Sequence, residues 1–228
     1  MSALDEFKNR LSSEWLIPFC NARGFSHEGF NTNTIENLSE ADAHDFMQAI
    51  DNGLVIHDKG IFTSGCSKAK EQIFWEGARS SVPRKVTLWL EPIITIAGLI
   101  RLHRDFGWDA KRLGMQSQTW AFDLVGYQED LITELLICEV KKTQRELDKL
   151  LDFMKKHAST PAEAESELKG AERNAFKKVL ALRQSESSVF WALGPNRYGR
   201  VFKVQRDDIG SVSLHHMNES ELKSLNVG

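Results

Sequence analysis

Asp123 is followed, after fifteen intervening residues, by Glu139-Val140-Lys141 at the end of an apolar run. Two carboxylates and one ammonium at this spacing can converge where neighbouring strands meet, and such a trio suits a divalent cation and a phosphate. An acid two residues before a lysine is cheap by itself. The pattern recurs at Glu6-Phe7-Lys8, Glu167-Leu168-Lys169 and Glu221-Leu222-Lys223. Those copies lie in polar, helix-favouring surroundings where residues two apart point to different sides, so they read as solvated surface.

The copy at Glu139 closes residues 131–138, which are too apolar for a surface helix and predict a strand buried on both faces. Alternation then places Leu135, Ile137, Glu139 and Lys141 on one face. Residues 120–127 form a second apolar stretch, and Gln128-Glu129-Asp130 supplies a hairpin turn. In an antiparallel pair across that turn Asp123 and Glu139 face each other. Thr143-Gln144-Arg145-Glu146 fits a capping box, and Leu147, Leu150, Leu151 and Met154 follow as one apolar helical stripe. The competing account of the trio is a structural ion pair at a sheet end. Two acids against one lysine leave one negative charge over, which a divalent cation would balance.

Through Phe122-Asp123 and Glu139-Val140-Lys141 the chain resembles the PD-(D/E)XK, or restriction endonuclease-like, nucleases. Phenylalanine stands where many members carry proline. The resemblance implies an α/β fold whose core is a helix, three antiparallel strands, a second helix and a further strand, a central mixed sheet flanked by helices. Residues 87–202 can be laid onto that core, with 90–106 as first helix, a strand after Trp108 and 188–193 as last core strand. It further implies that Asp123, Glu139 and the Val140 carbonyl bind Mg²⁺ or Mn²⁺. Lys141 would orient water and phosphate, and Glu91, at the mouth of the first helix, would assist with metal. The expected activity is phosphodiester hydrolysis, with DNA preferred as substrate.

The net charge of -3 is unevenly spread. Residues 1–140 carry 13 Lys+Arg against 20 Asp+Glu, whereas residues 141–206 carry 15 against 8. The basic segment begins at Lys141, and a phosphate backbone is attracted by such a patch. Lys142, Arg145, Arg197, Arg200 and Lys203 are the candidates for backbone contact, and Tyr198 between two arginines is placed to stack on a base. Ordinary surface charge is the alternative for each of them.

Residues 87–228 thus read as the core with a C-terminal hairpin, and residues 1–86 as an α+β extension for substrate recognition or dimerisation. Within it, 5–19 predicts an amphipathic helix carrying Phe7, Leu11, Trp15 and Leu16, and 39–50 a second helix. Residues 54–57 and 61–63 predict a hairpin, and 73–75 a short strand. Cys20, Cys66 and Cys138 are scattered and odd in number, which points to reduced thiols. With no signal-like N-terminus and no membrane-length apolar run, the expected compartment is cytoplasmic. His103-Arg104-Asp105-Phe106-Gly107 contains kinase-like letters without kinase spacing, and reads as a helix end. Trp120 and Trp191 read as core, with Trp75 and Trp108 open, and His215-His216 as solvated. Two non-catalytic readings stay beside the nuclease: a nucleic-acid-binding module on the same fold, and an interaction protein with a structural charge cluster. A homodimer is a candidate assembly, since double-strand cutters with one site per chain often pair.

Overall fold

Phe7, Leu11, Trp15 and Phe19 recur every four residues and are all buried, so the N-terminal segment is helical along its whole apolar face. It comprises α1 (Ala3–Arg10), a π-helical turn (Leu11–Leu16) and α2 (Ile17–Arg23). Pro18 has no N–H to offer the preceding turn, which accounts for the widened π segment where the sequence predicted an even helix. The structure, a computed structural model, describes all residues except Cys66, Lys68, Trp120, Ile209, Val227 and Gly228, and omits the side chains of Ser224 and Asn226. The expectations for Cys66 and Trp120 therefore fall outside the described residues.

The fold is mixed α/β. After α2 come β1 (Phe30–Asn31), α3 (Glu40–Asp51), β2 (Val55–Asp58), β3 (Ile61–Ser64), β4 (Glu71–Gln72), β5 (Phe74–Glu76) and β6 (Val86–Leu88). Then follow α4 (Leu90–Arg104), β7 (Leu113–Met115), β8 (Leu124–Tyr127), β9 (Glu134–Val140), α5 (Gln144–Lys156), α6 (Gly170–Gln184), β10 (Val189–Leu193), β11 (Gly199–Arg206) and β12 (Val212–Met217). Among the described residues, β1-β6-β5 and β2-β3-β4 form small sheets, and β12-β11-β10-β9-β8-β7 form the main one. Strands β7, β8 and β9 are successive antiparallel neighbours, whereas β10 runs parallel to β9. No helix among the described residues is long and apolar enough to cross a membrane.

Helix α4 is buried along nearly its entire length. It packs between the N-terminal aromatic cluster of Phe7, Trp15, Phe46 and Phe62 and the face of the main sheet that carries Leu136, Cys138 and Val140. Gly98 permits the approach, because a Cβ there would sit 2.7 Å from the Leu193 side chain. Helices α5 and α6 cover the opposite face, where Ile137, Phe190 and Phe202 pack on Leu147, Leu151 and Phe176. The boundary expected after residue 86 falls inside β6, and one continuous apolar core runs across it.

Several sequence expectations shift in extent. Leu131 and Ile132 are 49% and 69% exposed rather than the start of a buried strand. Asp130 accepts from the Ile132 N–H at 2.9 Å and the Thr133 N–H at 2.8 Å, which holds this stretch as a turn and delays β9 to Glu134. Strand β8 likewise starts at Leu124, because the Ser117 hydroxyl takes the N–H groups of Ala121 and Phe122 and holds that approach as a loop. Helix α4 stops at Arg104, short of the expected 106, and Gly107 takes up the left-handed conformation (φ 74°) beyond it. Thr143 caps α5 as its position predicts.

Two aspartates on the inner face of α3 tie the N-terminal region to the β10–β11 turn. Asp42 accepts from the Asn196 N–H at 2.7 Å, and fully buried Asp45 receives Arg197 through two 2.8 Å bonds and Arg104 through another. These bonds, led by Arg197, outweigh burial and hold the Asp45 carboxyl below its ordinary pKa. Removing Asp45 leaves Arg197 without its acidic partner at a partly covered site, whereas Arg104 keeps Asp105 and Gln48. Asp45→Ala is expected to lower unfolding free energy by roughly 2–3 kcal/mol in urea titration. A loss under about 0.5 kcal/mol would show that the lock is dispensable.

Candidate active site

Glu139 lies one residue from the C-terminal end of β9, only 3% exposed, on the face covered by α5 and α6. The register that pairs Leu124 with Cys138 sets Asp123 directly across from Glu139, and the Asp123 N–H donates to the Cys138 carbonyl at 2.9 Å. The Asp123 Oδ2 accepts from the Val140 N–H at 2.8 Å. The two acids therefore share one side of the sheet, as the hairpin reading requires.

Lys141 closes the trio. Its Nζ donates to Glu139 Oε1 and to the Val140 carbonyl, both at 2.8 Å, and lies 3.7 Å from Glu91 Oε1. The first turn of α4 thus comes within reach of the end of β9, and Glu91 joins the cluster as expected. Burial opposes the Lys141 charge, yet Glu139 and Glu91 hold its pKa above the ordinary lysine value.

Sequence reasoning missed Lys178. This residue of α6 places Nζ 2.5 Å from Glu139 Oε2, donates to the Ala121 carbonyl, and lies 5.2 Å from the centre of the Phe122 ring. It thereby fastens the segment that leads into Asp123. No local spacing signals it, because α6 reaches the cluster only through tertiary packing; the doublet Lys177-Lys178 in a basic segment is the sole hint. With Lys178 present, Asp123 and Glu139 face two ammoniums, so the sequence argument counted one cation too few. Glu91 restores the excess of one negative charge.

In front of the cluster lies an open cleft of about 780 Å³ walled by Glu91, Glu139, Lys141, Lys142, Lys149 and Lys178. Of the residues expected to contact nucleic acid, Lys142 lines this cleft and pairs with Glu146 at 3.7 Å, and Arg145 stands exposed in the first turn of α5, outside the cleft lining. The others do not join them. Arg197 is committed to Asp45, while Tyr198 and Arg200 bond to each other at 2.7 Å and both reach Asp148. Lys203 pairs in register with Val189 and His215, toward the far end of the sheet from Leu193 and Glu139. Their places on the cleft wall are taken by Lys149 and Lys177.

Chemically, the cluster offers hard oxygen donors beside an ammonium-rich cleft. Among the described residues no group of three or more His, Cys, Asp and Glu side chains is drawn together closely enough to hold a metal ion. Lys141 and Lys178 instead contact the oxygens of Glu139, and Lys141 also contacts the Val140 carbonyl. Comparison with protein-family models, with curated proteins and with solved structures gives no match.

Burial and the facing Glu139 push the Asp123 carboxyl up to about 7, against the opposing pull of Lys178, the Val140 N–H and Lys141. The folded protein then holds the proton more tightly than the unfolded chain, so stability from this group is present at low pH and is lost as pH rises toward 7. In chelated buffer, wild-type stability relative to Asp123→Asn is expected to fall by roughly 2–3 kcal/mol between about pH 5 and pH 8. A difference that stays flat with pH would show that Asp123 is not shifted.

Proposed function

We propose that the protein is a metal-dependent nuclease that hydrolyses phosphodiester bonds in nucleic acid, DNA by preference. The observation that carries this reading is Asp123 set across from Glu139, with Glu139 and the Lys141 bonded to it lining a cleft that holds further lysines. The order of α4, then antiparallel β7, β8 and β9, then α5 and α6, then β10 parallel to β9 supports a restriction endonuclease-like core.

The donor set is compatible with Mg²⁺ or Mn²⁺: Asp123, Glu139 and the Val140 carbonyl are hard oxygens, with Glu91 nearby. Burial and the facing Glu139 raise the Asp123 pKa, and a bound cation would oppose both effects. When bound, such an ion supplies Lewis-acid polarisation of a phosphoryl oxygen and a more acidic water. Lys141 orients that water and bears on the developing phosphate charge, while Glu91 steadies the Lys141 ammonium from the far side. Lys142, Lys149 and Lys177 attract the phosphodiester backbone.

The second reading, a nucleic-acid-binding module without chemistry, is favoured by one observation: both oxygens of Glu139 already contact ammonium groups. It predicts salt-sensitive binding with no metal-dependent product.

Plasmid and single-stranded DNA incubated with Mg²⁺ or Mn²⁺ separate the two. Alanine at Asp123, Glu139 or Lys141 is expected to lower the cleavage rate by roughly 10²–10⁴-fold, with the circular dichroism spectrum unchanged. Cleavage that survives all three substitutions would remove the site from the mechanism.

A further inference from the structure

Trp75 is 60% exposed on β5, an unusual place for so large an apolar ring. It meets Trp89 edge to face, with ring centres 5.7 Å apart and planes at 85°. The two indoles form a corner in a groove of about 720 Å³ whose other walls include Asn37, Thr87, Lys142 and Thr143. This groove neighbours the lysine cleft. Lys142 lines both spaces, and Trp89 precedes Glu91 by two residues at the start of α4.

We propose that this corner is a stacking platform for an unpaired base of the strand whose backbone lies in the lysine cleft. The inference rests on reading that cleft as a nucleic-acid channel, and it assigns a substrate class: single strands, or duplexes with a frayed or overhanging end. The fit is chemical on three counts. An exposed indole face accepts any base, and a second ring at right angles bounds the base edge. Lys142, which lines both groove and cleft, supplies the charge for the adjoining phosphate. The opening of α5 at Thr143 turns the positive end of a helix dipole toward the same place. A fully paired duplex keeps its bases stacked inside and cannot use the corner.

The test is fluorescence anisotropy with a labelled oligo(dT) strand and a blunt duplex of equal length, in EDTA so that nothing is cut. Trp75→Ala, at an exposed position, is expected to weaken the single strand roughly ten-fold and the blunt duplex less than about two-fold. Trp75→Phe should recover most of the loss. Quenching of tryptophan emission by the single strand should disappear in Trp75→Ala. Equal effects on both ligands, or no effect on either, would overturn the proposal. Loss of self-association in Trp75→Ala with DNA affinity untouched would also overturn it and give the face to a second copy of the chain. Because binding is read without metal, a protein that never cuts can pass this test and an active nuclease can fail it.

Discussion

A carboxylate as covered as Glu139 is tolerable only because Lys141 and Lys178 bring ammonium groups to its two oxygens. Left alone, such a charge would cost several kcal/mol and would take up a proton instead. The requirement reaches well beyond one side chain. Lys141 leaves the sheet just past β9, so α5 must begin immediately beyond Lys142. Lys178 lies on α6, which must therefore cross the same sheet face closely enough for its ammonium to reach both Glu139 and the Ala121 carbonyl. That second contact pins the segment entering β8, and so the position of Asp123.

The N-terminal region enters the same arrangement from the other side of the sheet. Asp42 and Asp45 on α3 hold the β10–β11 turn, whose Asn196 and Arg197 both take positive φ, at 56° and 58°. Trp89 and Glu91 open α4, which the aromatic cluster around Trp15 and Phe46 presses onto the sheet. The basic segment does not act as one patch. Arg197 and Arg206 spend their rigid forks on several fixed protein acceptors, whereas Lys142, Lys149 and Lys177 keep exposed ammonium groups at the cleft. That division follows from chemistry, since a planar guanidinium suits a fixed acceptor and a flexible ammonium suits a mobile phosphate.

The same division explains how much of the site was legible in the sequence. The Glu139 strand, the facing Asp123, the Thr143 cap and the stripe from Leu147 to Met154 are local features, governed by alternation, turn residues and helical period, and each could be read directly. Lys178 could not, because its role depends on how two helices pack on a sheet. Arg197, Tyr198 and Arg200 looked like a binding loop because their acidic partners, Asp45 and Asp148, lie far away in the chain. Asp42 carried a double meaning: it reads as a helix-start residue, accepting the bond from Ser39, and it is also half of a tertiary lock. Leu131 and Ile132 misled for the opposite reason, their apolar character being overruled by the turn that Asp130 organises.

Charge in the cluster connects these threads. With every group ionised, Asp123, Glu139 and Glu91 exceed Lys141 and Lys178 by one negative charge. Two acids against one lysine give the same sum from the sequence, because that count leaves out Lys178 and the Glu91 expected beside the metal. One negative charge over in a poorly solvated place is unfavourable, and burial together with the facing Glu139 raises the Asp123 pKa accordingly. A divalent cation would compete for the same deficit, and so would the ammonium groups already in contact with Glu139. The Val140 N–H offsets part of the penalty on Asp123, because a hydrogen bond to the carboxylate favours its ionised form, and it fixes that acid on the same side of the strand pair as Glu139. The bond thus sets where the second acid stands, while burial and the facing Glu139 set how readily it gives up its proton.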